Sequence, residues 1–147
     1  MRRPVLVGVV VLLAGFAAQT AAKPGLNWGP APPSLPKGAK IAVVSGNPEQ
    51  PGPFVIRLRF PPGYAVPPHS HPVDEHVTVV DGVVSIGMGS IADRDLMKVI
   101  PKGRSIIAPA NMAHFASTTQ GATLQISSRG PFQVTYVNRE DDPRSPG

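Results

Sequence analysis

Turn-forming residues interrupt this chain so regularly that a long helix has almost nowhere to form. Between Lys40 and Asn138 it passes through "KIAVVSG", "FVIRLRF", "HVTVV", "VVSIGMG", "LMKVI", "RSIIA", "HFASTT", "TLQISS" and "FQVTYVN". The breaks fall at Pro61-Pro62-Gly63, Asp81-Gly82, Pro101-Lys102-Gly103, Pro109-Ala110-Asn111 and Gln120-Gly121. Short runs rich in β-branched residues and bounded by Gly, Pro, Asn and Asp read as strands, and many of them in succession read as an all-β sandwich or barrel. In "FVIRLRF", Val55, Arg57 and Arg59 alternate with Ile56, Leu58 and Phe60, the period of a strand with one buried face. Asp81-Gly82, set between two apolar runs, predicts a tight hairpin. Only "ADRDLMK" leaves room for a helix, and its apolar face is thin.

A chain of 147 residues fits a single domain. Its start, "MRRPVLVGVVVLLAGFAAQTAAKPG", has Arg2 and Arg3, an apolar run from Val5 to Ala18, then small residues. That is the three-part pattern of a secretory signal peptide, with cleavage expected after Ala22, so residues 1–22 are set aside. The apolar run is shorter than the ~20 residues a membrane span needs, so no stable anchor is expected after cleavage. The arginine pair is compatible with the general secretory or the twin-arginine route. The expectation is a periplasmic or secreted protein. Residues 23–38 form a Pro-rich lead-in arm that cannot be helical, with Trp28 as an anchor against the domain or a neighbour. Residues 39–138 carry the strands, and 139–147, "REDDPRSPG", form a flexible tail.

Removing the signal lowers the formal charge from +5 to +3, and no dense Lys/Arg run with interleaved aromatics remains, so nucleic acid is not an expected partner. Cysteine is absent, which excludes disulfides, thiolate metal sites and cysteine nucleophiles together. No Ser-His-Asp arrangement, phosphate-binding glycine loop or dinucleotide fingerprint stands out.

Three of the four histidines crowd into "GYAVPPHSHPVDEHVTVVDG". His69 and His71 are two apart, so on a strand they project from one face with Cβ atoms roughly 7 Å apart. Glu75 shares their parity, although "PVD" breaks the strand before it. His114 follows on "AHFAST", another strand-like run. Three imidazoles and a carboxylate suit a divalent first-row metal, whereas a His-x-His pair alone is equally at home in an exposed turn.

The frame around these residues resembles the cupin superfamily. Its first motif, G-x5-HxH-x3-E-x6-G, is matched by Gly63, His69, His71, Glu75 and Gly82. Its second, G-x5-PxG-x2-H-x3-N, is matched by Gly103, Pro109 and His114 in "GRSIIAPANMAHFAST". Asn111 stands where that motif has glycine, a mild departure because asparagine tolerates left-handed backbone. Thr118 stands where it has asparagine, at a position that is not a ligand. The resemblance implies a double-stranded β-helix, or jelly-roll barrel, and one divalent metal (Mn, Fe, Zn or Ni) on His69, His71, Glu75 and His114. Pro67 and Pro68 would stiffen the approach to His69.

His76 should face away from Glu75, either supporting a ligand from behind or lying on the surface. Arg57 and Arg59 share a face: aimed inward they can hold a carboxylate substrate, aimed outward they are a solvated surface. Met88, Met112, Phe115 and Tyr136 either line a pocket or belong to the core. Four protein ligands leave positions open on a six-coordinate ion, the layout of a working site. Three functions follow: a dioxygenase- or isomerase-type enzyme acting on a small molecule, a non-catalytic binder or sensor that holds its ligand through the metal, and a barrel in which metal is only structural. Small cupins are often dimers, and an extended arm can be lent to a neighbour, so a homodimer is a further expectation.

Overall fold

The computed structural model describes residues 25–146; the segment read as a signal peptide lies outside them. Ten strands run in order: β1 (Gly29–Pro30), β2 (Lys40–Ser45), β3 (Gly52–Phe60), β4 (Ala65–Ser70), β5 (Glu75–Met88), β6 (Met97–Pro101), β7 (Ser105–Ala108), β8 (His114–Ser117), β9 (Ala122–Gly130) and β10 (Thr135–Tyr136). All pairings are antiparallel. Two short 3-10 turns, Arg94–Leu96 and Arg139–Asp141, are the only helical pieces among the described residues, and the first lies inside "ADRDLMK". None of these is long and apolar enough to cross a membrane.

Strand β5 organises the rest. Its first half pairs with β9 and β7, in the sheet that continues through β3, β2 and β1. Its second half pairs with β6 and β8, in the sheet that continues through β4 and β10. Two sheets thus close around one core, and the fold is the all-β jelly-roll barrel implied by the motifs. The expected hairpin at Asp81-Gly82 does not form: β5 runs straight through both residues. The glycine has another use. At φ +73° it lets the strand bend between sheets, and its missing side chain lets the Gly121–Ala122 backbone pack against it.

Burial follows the alternation read from the sequence. Along β3, Phe54, Ile56, Leu58 and Phe60 are buried, while Arg57 and Arg59 lie on the outer face. There Arg59 sits 4.0 Å above the Trp28 ring, so the arm anchors on its own barrel. The inner faces supply one apolar core that includes Val77, Val79, Val84, Leu124 and Ile126.

Candidate metal centre

The histidine cluster follows from strand register. His69 on β4 stands opposite His114 on β8, which places both rings on the inner face with centroids 4.3 Å apart. His71 lies one residue beyond β4, its ring 5.0 Å from that of His69 and 5.2 Å from that of His114. Residues 72–74 then cross to the other sheet, where Glu75 opens β5 and turns its carboxylate back toward the rings. Its Oε2 lies 3.4 Å from His71 Nε2 and 3.2 Å from His114 Nε2. One ligand atom from each histidine lies within 4.8 Å of the others.

The loops holding these residues are tied together. The backbone N–H of Asn111 donates to the His71 carbonyl at 2.7 Å, and that of Ala110 donates to Asp74 Oδ1 at 2.8 Å. Asn111 adopts φ +61°, the left-handed conformation that explains a glycine or asparagine there. Thr118 is buried away from the cluster, donating to the Val83 carbonyl and accepting from the Gly121 N–H.

Each imidazole is oriented through its far nitrogen. Nδ1 of His69, His71 and His114 meets the carbonyl of Pro67 at 2.7 Å, of Gln133 at 2.7 Å and of Met112 at 3.1 Å. A carbonyl only accepts, so each Nδ1 carries a proton, and each ring in its neutral form turns an Nε2 lone pair into the site. The Nε2 atoms of His71 and His114 are buried and make no hydrogen bond. They face a carboxylate oxygen that also only accepts. Acceptors so arranged repel unless something positive lies between them, and a divalent cation or a proton meets that need. The donor set, three imidazole nitrogens and one carboxylate, fits a borderline divalent metal.

The electrostatics agree. Burial, with the neighbouring His114 and His71, pushes His69 down to about 4, so it stays neutral and ligating. Burial also pulls His71 down, but the Glu75 carboxylate outweighs it and leaves His71 above its ordinary value. Burial would raise Glu75, yet the His114 and His71 imidazoles hold its carboxyl well below the usual range. The carboxylate is therefore charged at any physiological pH.

Behind the cluster lies an interior cavity of about 40 Å³. Its other walls are apolar, among them Leu35, Phe60, Ile106 and Phe132, and among the described residues the only polar side chains lining it are the three histidines and Glu75. The remaining candidates lie elsewhere. Arg57 and Arg59 point outward, Arg57 reaching Gln125 at 3.4 Å. His76 is exposed beside Ser127 and Arg129, on the opposite side of β5 from Glu75, as strand alternation requires. Phe115 is buried but turns away from the cavity, its ring filling the space left by the missing Cβ of Gly87. Met88 packs against the core, and Met112 is largely exposed. Tyr136 stands opposite His69 in the sheet, its ring 5.8 Å from that of His69.

Sequence reasoning missed Phe132, which stacks on His71 at 5.2 Å, and the Gln133 carbonyl that orients the same ring. Nothing in the sequence ties these residues to a histidine some sixty positions earlier. It also missed Leu35, which the sequence sets between Pro33 and Pro36 in the arm.

Comparison with known proteins agrees with this geometry. Residues 36–131 match the family model described as Cupin. A germin-like protein of Arabidopsis thaliana (subfamily 2 member 1) is 31% identical over 109 residues, covering 71% of this chain and 48% of that protein. The rhicadhesin receptor of Pisum sativum is 31% identical over 83 residues, covering 56% of this chain and 38% of the receptor. The chain thus spans about half, or less, of the length of these relatives. Among solved structures, the polyketide cyclase RemF from Streptomyces resistomycificus superposes with a TM-score of 0.60 at 17% identity, over 71% of this chain and 75% of that one. An oxalate oxidase superposes with a TM-score of 0.54 at 21% identity, over 73% of this chain and 59% of that one. At such identities the structures speak for the fold alone. With the family model covering most of the barrel and both histidine motifs in place, the chain belongs to the cupin family.

Proposed function

We propose that this is an exported cupin protein that binds one divalent metal ion through His69, His71, Glu75 and His114 and acts there on a small molecule, by dioxygenase- or isomerase-type chemistry. The observation that carries the reading is the set of Nε2 lone pairs turned on a buried carboxylate with no donor between them. A bound ion would supply Lewis acidity, and redox capacity if it is manganese or iron. The chain's own residues orient and exclude. Backbone carbonyls fix the ring tautomers, Glu75 provides the negative charge that favours a cation, and the apolar wall keeps bulk water away. The relatives' chemistry is not uniform, since one structural neighbour is an oxalate oxidase and another a polyketide cyclase, so the substrate is argued from this site alone. Export rests on the N-terminal sequence pattern.

The size of the cavity favours a second reading. At about 40 Å³ it holds an ion and little more, whereas pockets for drug-sized ligands run to roughly 300 Å³ and above. A barrel in which the ion only stabilises the fold, or holds a ligand without turning it over, would look the same in this closed form. Water-proton relaxation of the Mn(II)-reconstituted protein separates a site open to small molecules from a purely structural one. A working site gives strong relaxation enhancement from exchanging water, reduced by a small anion such as azide. Bound manganese with no enhancement would leave only the structural role.

A further inference from the structure

The proline-rich arm does more than lead into the barrel. Its turn Pro32–Leu35, closed by the Leu35 N–H on the Pro32 carbonyl at 3.0 Å, drives Leu35 inward until it is buried and forms part of the cavity wall shared with His69, His71, Glu75 and His114. The two peptide carbonyls flanking Leu35 are each held by a tyrosine. Tyr136 donates its hydroxyl to the Ser34 carbonyl at 2.7 Å, and Tyr64 donates to the Pro36 carbonyl at 2.6 Å. Tyr64 is itself braced by stacking on Phe60, whose ring also lines the cavity. Burial raises both phenols, Tyr136 to about 12, so each remains a donor across the physiological range.

We propose that Leu35 is the specificity-determining plug of the site, carried on the arm and clamped by Tyr64 and Tyr136, and that it decides which molecules reach the histidine cluster. With the arm seated, the cavity admits only species of a few atoms. Among the described residues no Lys or Arg lines it, so an anionic substituent reaching past the cluster on a larger molecule would find no partner. A bulkier substrate would therefore be a small neutral or largely apolar molecule that displaces Leu35 while the arm lifts. The arm is suited to lift as a unit. Leu35 is its only fully buried side chain among residues 25–38. Ala31 and Trp28 make lesser contacts with the core and with Arg59, and beyond the two tyrosine bonds its backbone is tied mainly through Ala31 to Ala39 and the short β1–β2 pairing. The role of Leu35 for a substrate rests on the proposed function, but its role as a plug does not.

The test uses metal-free protein, so it does not depend on the metal reading. Diethyl pyrocarbonate acylates neutral imidazoles, and mass spectrometry of peptides reads each histidine separately. The exposed His76 serves as the internal reference. In the wild type, His76 is labelled quickly and His69, His71 and His114 slowly. Tyr64→Phe/Tyr136→Phe keeps the plug but removes both clamps, and Leu35→Ala shortens the plug and keeps the clamps. Each is expected to label the three buried histidines at least about tenfold faster with His76 unchanged, the effect of losing roughly one hydrogen bond's worth of local closure. Val84→Ala truncates a fully buried residue that does not line the cavity and controls for general loosening. Unchanged labelling in the arm variants would overturn the proposal, as would an equal acceleration by Val84→Ala. If the plug behaves as described and the protein still binds no metal, the proposed function fails and this inference stands.

Discussion

Gly82 and Gly103 belong to the same pair of motifs and both have positive φ, +73° and +83°, yet the structure assigns them different costs of substitution. An alanine at either position must adopt left-handed backbone, a strain of about 1–2 kcal/mol for an L-residue. At Gly103 nothing more is added, because no heavy atom lies within 4 Å of the new Cβ. At Gly82 the new methyl meets the Gly121 carbonyl oxygen well inside contact distance and the Ala122 Cα at 3.0 Å. Both obstacles are backbone of a paired strand, so they yield only if β5 and β9 separate at their crossing. Overpacking of this kind adds about 1–3 kcal/mol. Gly82→Ala should therefore be less stable than Gly103→Ala by about 2 kcal/mol, a gap of roughly 6 °C in Tm for a chain of this size. Thermal and urea unfolding of the metal-free proteins measure it. Equal losses would refute the argument that Gly82 is needed for close approach and leave backbone strain as its only role. A larger loss in Gly103→Ala would refute both parts.

Other expectations follow from the same structure. Ile126→Ala, at a side chain that is 1% exposed and lines the cavity, should lose about 2–5 kcal/mol in urea unfolding, and a loss under about 1 kcal/mol would contradict the packing described. His69 is depressed from 6.5 to about 4, so the unfolded chain takes up a proton that the folded one refuses. Stability from this residue is present above 6.5 and falls as pH drops toward 4, by up to about 3 kcal/mol in the metal-free protein. His69→Asn should flatten that slope, and an unchanged slope would assign the acid sensitivity elsewhere. His71 is raised, so its contribution has the opposite sign, present below 6.5 and lost as pH climbs through its folded value. Because a metal ion needs the neutral ring, acid favours the empty site, and affinity should begin to fall while pH is still above 6.5; undiminished binding at about pH 5 would contradict this. His76→Asn should leave metal content unchanged, since that side chain points outward.

Much of this molecule was legible in its residues, for reasons that differ by element. The alternation in "FVIRLRF" set Ile56, Leu58 and Phe60 on one face and Arg57 and Arg59 on the other, because a strand with one wet and one dry face has a period of two. Motif spacing grouped His114 with His69, His71 and Glu75 although β8 comes well after the stretch that carries the other three. Asn111 could be read as left-handed because few other side chains tolerate that backbone. The failure at Asp81-Gly82 is equally physical. A dipeptide suited to a hairpin is also suited to a strand that bends between sheets, and only the partner backbone at Gly121 decides between them. The direction of Arg57 and Arg59 needed the barrel's closure, because alternation says that two residues share a face and not which face is inside. Leu35 and Phe132 reach the site from the two ends of the described chain, and neither sits in a motif.

The central claim is that three lone pairs and a carboxylate converge because a metal ion belongs between them. Metal content tests it most directly. The protein would be purified with neither metal nor chelator added, and measured by inductively coupled plasma mass spectrometry beside His69→Ala/His114→Ala. The account predicts about one equivalent of a single divalent metal in the wild type and its loss in the variant. If both proteins emerge equally empty and equally stable, the cluster is not a metal site and the central claim fails.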